Sequence, residues 1–200
     1  MKTGCIILAG GKGRRFGRDK AWVELGGQSL LQRAVSNLEF VSDEIIVVKA
    51  QQQKLPLISA RVKLRVVTDA VSGKGPLAGI YTGLANSAFL YNLVVACDMP
   101  FISQALVKYM IKAVPGYDVT IPRLGEWLEP LQAVYSRGCI AEIKKLLAAD
   151  ELKIDRLFGR VGTRYIESAE IERFDPQHLS FLNINTPDDL VKAEGLLGRS

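Results

Sequence analysis

The sequence predicts a single three-layer α/β/α domain built on a mostly parallel sheet with an antiparallel addition at its edge. Three observations carry this. Short apolar runs alternate with segments of helical period through the first half of the chain. The run at residues 93–96 is apolar throughout, as a strand buried on both faces is. No repeat, low-complexity tract or shift of composition divides the 200 residues.

The elements follow in order. Residues 5–8, 44–48, 65–67 and 93–96 read as strands, and residues 30–38, 77–86 and 103–113 as the helices between them. Such alternation favours parallel strands joined by right-handed crossovers. Residues 119–122 and 131–135 read as strands about a turn at Gly125, an antiparallel hairpin at the sheet edge. Residues 138–149 form an amphipathic helix with Ile140, Ile143, Leu146 and Leu147 on one face. Residues 182–184 are expected to be a last strand, leading into a helix capped by Thr186 with Pro187 at its first position.

At 48% hydrophobic and 24% charged, the composition is that of a globular protein able to bury its own core. The three cysteines, Cys5, Cys97 and Cys139, are far apart and include no Cys-x-x-Cys pair. They therefore indicate neither a disulfide framework nor a zinc site, and they suit a reducing cytoplasm. No apolar stretch approaches the ~18–20 residues of a membrane helix, and the apolar start is too short for a signal peptide. The net charge of +5 is unevenly placed: Lys12, Arg14, Arg15, Arg18 and Lys20 crowd together against one acid, Asp19. That potential attracts polyphosphate or nucleic acid, although a solvated basic loop would account for the charges alone.

What distinguishes residues 8–20 is that glycines share the segment with these cations. Ligands of open α/β sheets bind beyond the carboxyl ends of the strands, and glycines let backbone N–H groups approach phosphate. Two common phosphate loops fail on counting. The residues five after Gly10, Gly11 and Gly13 are Arg15, Phe16 and Arg18, so there is no Walker A spacing. Gly11 and Gly13 would need a third glycine where Phe16 stands, so the dinucleotide fingerprint fails too.

Asp98 follows the most apolar strand. An unpaired carboxylate there is costly to bury, and a magnesium ligand explains it better than a cap for the helix near Ser103. Gly75-Pro76-Leu77-Ala78-Gly79 marks a helix start, with Gly79 permitting tight packing or ligand approach. Asn183 and Asn185 share one strand face, which a simple helix cap would not require.

The pattern Leu8-Ala9-Gly10-Gly11-x-Gly13-x-Arg15-x-Gly17-x-Asp19-Lys20 resembles the signature loop of the nucleotidyltransferase superfamily of Rossmann-like enzymes. Its Gly10-Gly11 pair, Arg15, Gly17 and Asp19-Lys20 step match the molybdenum cofactor guanylyltransferases. The segments at Gly75, Cys97-Asp98-Met99-Pro100 and Asn183-Ile184-Asn185-Thr186-Pro187 are similar to further motifs of that family. The resemblance implies that residues up to about 100 hold the nucleotide and the rest the acceptor. Leu8, Ala9, Gly10, Gly11, Gly13, Lys20, Asp69, Gly79 and Asp98 would bind nucleotide, and Asn183 and Asn185 the acceptor. Arg15, Lys20 and Asp98 would be catalytic, with Asp98 holding Mg2+. Asp69 is equally readable as a turn aspartate, and Lys49 stands where the family pattern expects asparagine.

The implied partners are GTP and molybdopterin, with or without molybdenum, beside other molybdenum-cofactor proteins; neither nucleic acid nor membrane is implied. The implied reaction moves GMP from GTP to the terminal phosphate of molybdopterin. A phosphate acceptor is already anionic and needs no strong general base. The one histidine, His178, lies outside every motif and reads as a surface or capping residue, which disposes of Ser/His/Asp and Cys/His schemes. Gly10 favours GTP, because the related cytidylyltransferases tend to carry alanine there. A cytidylyltransferase, a phospholactate or sugar-phosphate enzyme, and a non-catalytic nucleotide- or RNA-binding protein are the alternatives.

Overall fold

A computed structural model of the chain describes residues 1–10 and 19–198. β1 (Gly4–Leu8) is buried throughout. A 3-10 helix (Lys20–Trp22) precedes a small hairpin, β2 (Glu24–Leu25) with β3 (Gln28–Ser29), and then α1 (Leu30–Leu38). β4 (Glu44–Lys49), β5 (Lys63–Thr68), α2 (Gly75–Asn86), β6 (Tyr91–Ala96) and α3 (Gln104–Ala113) complete the alternating half. β7 (Val119–Leu124), β8 (Trp127–Leu128), β9 (Gln132–Ser136), α4 (Cys139–Ala148) and α5 (Asp155–Phe158) follow. β10 (Thr163–Glu167), α6 (Ser168–Ile171), a second 3-10 helix (Leu179–Phe181) and α7 (Pro187–Leu197) close the chain.

The helices form where pattern and caps agree. In α1, Leu30, Leu31, Ala34, Val35 and Leu38 are buried at helical spacing, and the Ser29 hydroxyl accepts from the Gln32 N–H. In α7, Thr186 and Asp189 form a capping box with Pro187 at the first turn.

Among the described residues eight strands make one sheet, in the order β10-β7-β9-β6-β1-β4-β5, with β8 paired to β7. β6, β1, β4 and β5 run parallel. β9 runs antiparallel to both β6 and β7, and β10 lies parallel to β7. The register sets Leu8 level with Val48 and with Ala96, so three strands end along one edge. One face packs against α1 and α3 through Leu31, Val35, Leu106 and Met110, and the other against α2 and α4 through Leu77, Ile80, Ile143 and Leu146. This is the three-layer α/β/α, mostly parallel Rossmann-like arrangement expected. No helix among the described residues is long and apolar enough to cross a membrane.

Two expectations need correction. The antiparallel pair is not at the edge: β9 lies between β6 and β7, and the outermost strand on that side is β10, which the sequence reading omitted. Residues 182–184 form no strand; Ile184 N–H donates to Asp98 O at 2.9 Å and fixes them beside the sheet. Instead they belong to a third apolar cluster, in which Ile184 and Ala193 pack with Val23, Leu25 and Leu30. Burying each of its valine, leucine and isoleucine side chains stabilises by about 1.5–3 kcal/mol. The cluster joins the first hairpin to the last helix, and so brings Lys20 to Asn185.

Candidate active site

The carboxyl edge of β1, β4 and β6 is where the sequence-predicted groups converge. Asp19 caps the first 3-10 helix, its Oδ1 accepting from the Ala21 N–H at 3.0 Å, and this fixes Lys20 in place. Lys20 Nζ lies 2.6 Å from Asp98 Oδ2 and 2.6 Å from Asn185 Oδ1. Both members of the ion pair are largely buried, with side chains 19% and 15% exposed. Asp98 does not cap the helix after it, because the Ser103 hydroxyl takes that place by accepting from the Leu106 N–H. The second oxygen, Asp98 Oδ1, is shielded from solvent and has no partner among the described residues. A buried carboxylate oxygen left without a donor is unusual and suits a ligand that brings positive charge.

The backbone ahead of the glycines is equally fixed. Leu8 O accepts from Cys97 N–H and Val48 O from Ala9 N–H, at 3.1 and 2.9 Å. Gln53, which the sequence reading passed over, joins both ends of the Gly-rich segment. Its Nε2 donates to Ala9 O at 2.8 Å and to Asp19 Oδ2 at 2.7 Å, while its Oε1 accepts from Ala50 N–H. Lys49 Nζ in turn donates to Gln53 O at 2.9 Å, so this lysine closes the loop that presents Gln53. Nothing local marks Gln53 in the sequence, since it ends a run of three glutamines after β4. Gly11, Gly13 and Arg15 lie outside the described residues.

The remaining candidates separate. Asn185 meets Lys20, but Asn183 turns its amide back to Phe181 O at 3.1 Å. Asp69 serves its own turn: Oδ1 accepts from Val71 N–H and from the Thr82 hydroxyl, tying α2 to the end of β5. Gly79 is buried under Leu8, where a Cβ would stand 3.0 Å from Leu8 Cδ2, so its smallness serves packing. Gly10 is exposed, with Ala50 as its neighbour. Burial pushes the Cys97 thiol far above its ordinary range, helped by the nearby Asp98 and Asp19, and this removes it as a nucleophile. His178 sits in the left-handed region at φ 54°, at the start of the second 3-10 helix, with Nε2 3.7 Å from Glu172. It belongs to a surface turn, as expected.

A parallel-sheet edge where a lysine and a strand-end aspartate meet beside the two ends of a Gly-rich segment fits a nucleotidyltransferase, and the family comparison assigns the chain to that class. The chain belongs to the family of the MobA-like NTP transferase domain, whose model matches residues 5–164. It is 42% identical over 188 residues to a Pelotomaculum thermopropionicum protein named "Probable molybdenum cofactor guanylyltransferase", covering 94% of this chain and 90% of that one. The molybdenum cofactor guanylyltransferase of Desulfosudis oleivorans is 35% identical, over 96% of this chain and 94% of its own length. The crystal structure of molybdopterin-guanine dinucleotide biosynthesis protein A from Archaeoglobus fulgidus superposes with a TM-score of 0.83 at 30% identity, covering 98% of this chain and all 100% of that one.

Proposed function

We propose that the protein transfers GMP from GTP to the terminal phosphate of molybdopterin, with release of diphosphate. The observation that carries this reading is the Lys20 ammonium held between Asp98 and Asn185, at 2.6 Å from each, beside the clamped ends of the Gly-rich segment. Relatives named guanylyltransferase support the choice of nucleotide.

Asp98 is a fitting magnesium ligand, because its Oδ1 is buried and unpartnered. The donor set agrees: among the described residues no group of three or more His, Cys, Asp or Glu could enclose a metal, whereas magnesium typically takes one or two carboxylates plus substrate phosphates. The chemistry such an ion supplies when bound is neutralisation of charge on phosphate oxygens. Within the protein, Lys20 supplies a fixed positive charge against the departing diphosphate, and Arg15 is assigned the same role. Asn185 holds the lysine in line. The acceptor phosphate is its own nucleophile, so catalysis rests on positioning and charge. The three cysteines are unpaired and buried, which suits a reducing compartment, and we place the reaction in the cytoplasm.

The test is a diphosphate-release assay with magnesium, molybdopterin and each of GTP, CTP, ATP and UTP, with the product identified by mass. GTP should be used and the guanine dinucleotide formed. Asp98→Ala and Lys20→Ala should each lose on the order of 10²–10³ in turnover while remaining folded. Near-normal turnover in either variant removes that residue from its role, and preference for CTP overturns the choice of base.

A further inference from the structure

The turn after β4 grips the 3-10 helix of Lys20 at two points. Gln53 Nε2 donates to Asp19 Oδ2 at 2.7 Å, one residue before Lys20. Trp22 Nε1 donates to Lys54 O at 2.8 Å, two residues after it. A 3-10 helix of three residues has weak hydrogen-bond geometry of its own, so outside attachments decide where its side chains stand.

The turn is built to hold these attachments. Gln53 N–H bonds to Ala50 O at 3.3 Å, Ala50 N–H to Gln53 Oε1 at 2.9 Å, and Lys49 Nζ to Gln53 O at 2.9 Å. Gln52 lies in the left-handed region at φ 61°, a conformation that a residue other than glycine keeps only where its surroundings impose it. Gln53 Nε2 also donates to Ala9 O at 2.8 Å, which refers the whole turn to the end of β1. Both N–H donors of the Gln53 amide are thus engaged within the protein, and it acts on substrate only through what it holds.

We propose that Gln53 is a positioning residue for Lys20: it ties the start of the 3-10 helix to β1, and so sets the reach of the Lys20 ammonium to Asp98 and Asn185, 2.6 Å from each. Asp19 is the link. One of its carboxylate oxygens caps the helix at Ala21 N–H and the other accepts from Gln53. A hydrogen bond to a charged acceptor is stronger than one between neutral groups, which suits a tether. The inference rests on the reading of Lys20 as the charge that meets the departing diphosphate.

Two measurements on the full chain test it. The first needs no substrate: acetylation by N-hydroxysuccinimidyl acetate, followed residue by residue by mass spectrometry. The Lys20 amine, ion-paired and largely buried, should react slowly in wild type and several-fold faster in Gln53→Ala, with the exposed Lys145 on α4 unchanged. Trp22→Phe, which removes the indole N–H, should shift Lys20 the same way to a lesser extent, and serves if Gln53→Ala does not fold. The second is a double-mutant cycle on diphosphate release from GTP with magnesium and molybdopterin. Gln53→Ala should lower kcat by on the order of 10- to 100-fold, the scale of moving a positioned group by about an ångström, with less change in KM. In a Lys20→Ala background it should have little further effect, since residues that act through one another are not additive. Lys20 acetylated no faster in either variant than in wild type, or losses that multiply in the double variant, overturns the proposal. A loss confined to KM for GTP overturns it as well, by assigning Gln53 to nucleotide binding alone. Faster acetylation of Lys20 in Gln53→Ala, beside a wild-type chain that releases no diphosphate, supports the positioning of Lys20 and refutes the functional reading alone.

Discussion

Lys20 and Gln53 show two ways in which single side chains organise this edge. Lys20 is a charged link between sequence-distant groups, 78 positions from Asp98 and 165 from Asn185. Gln53 is a neutral clamp whose one amide nitrogen serves the residues on either side of the glycines. The lysine could be singled out from the chain because a cation beside glycines has few structural reasons to exist. The glutamine could not, because its role arises only once β4 has carried it to the end of β1. Asn183 and Asn185 illustrate the same limit: they look equivalent on an extended segment, but the segment is not a strand, and only Asn185 reaches Lys20. At Gly10 a Cβ would come no nearer than 3.4 Å to Ala50, so alanine fits without displacing protein atoms. Gly10→Ala should therefore fold normally, and steady-state kinetics should show kcat/KM for GTP falling relative to CTP. An unchanged ratio would dissociate Gly10 from base choice.

Among the elements, α2 is pressed closely onto the sheet at its glycines. A Cβ on Gly83 would fall 2.4 Å from Ile6 Cγ2, while one on Gly79 would meet only the mobile end of Leu8 at 3.0 Å. Gly83→Ala should cost about 1–3 kcal/mol, as overpacking of a filled core does, with Gly79→Ala milder. Denaturant unfolding measures both, and a Gly83→Ala chain as stable as wild type would mean that α2 can move away from β1. Most elements of the first half could be read from the sequence, since α1 and the buried strands are amphipathic or apolar over their whole length. β10 could not. Its Thr-Arg-Tyr-Ile-Glu alternates, with only Ile166 fully buried, and its place is set by pairing with β7 rather than by its own composition. The antiparallel strand β9 was legible as a strand, but its position inside the sheet was not, because local pattern carries no neighbour order.

Across the whole molecule, two carboxylates should give the stability curve opposite slopes. Burial alone raises Glu44, but hydrogen bonds and charge from Arg65 and Lys63 outweigh it and hold the folded value below the ordinary range. The stability that Glu44 contributes is thus complete above its unfolded pKa, about 4.3, and is lost as pH falls through the folded value. Glu129 behaves in reverse: its folded value is raised, so its contribution is present below the unfolded value and lost as pH rises through the folded one. In melting curves from acid to neutral pH, Glu44→Gln should lower Tm near pH 7 and converge with wild type in acid. Glu129→Gln should raise Tm near pH 7 and converge likewise. A Glu129→Gln chain less stable than wild type at neutral pH would mean that the carboxylate has found a partner in the folded protein.

The antiparallel entry of β9 has a consequence for how the protein could be changed. A purely parallel sheet offers strand ends, and hence loops, only from one direction of travel at its ligand edge. Here the connection from β8 into β9 arrives at that edge from the opposite direction, on the far side of β6 from the Gly-rich segment. The loop around Gly125 and the Gly-rich segment therefore have separate roots, and residues 125–128 could be exchanged without disturbing Gln53, Lys20 or the register of β1. The architecture pairs a clamped edge with a loop that enters from the other side and can be varied alone.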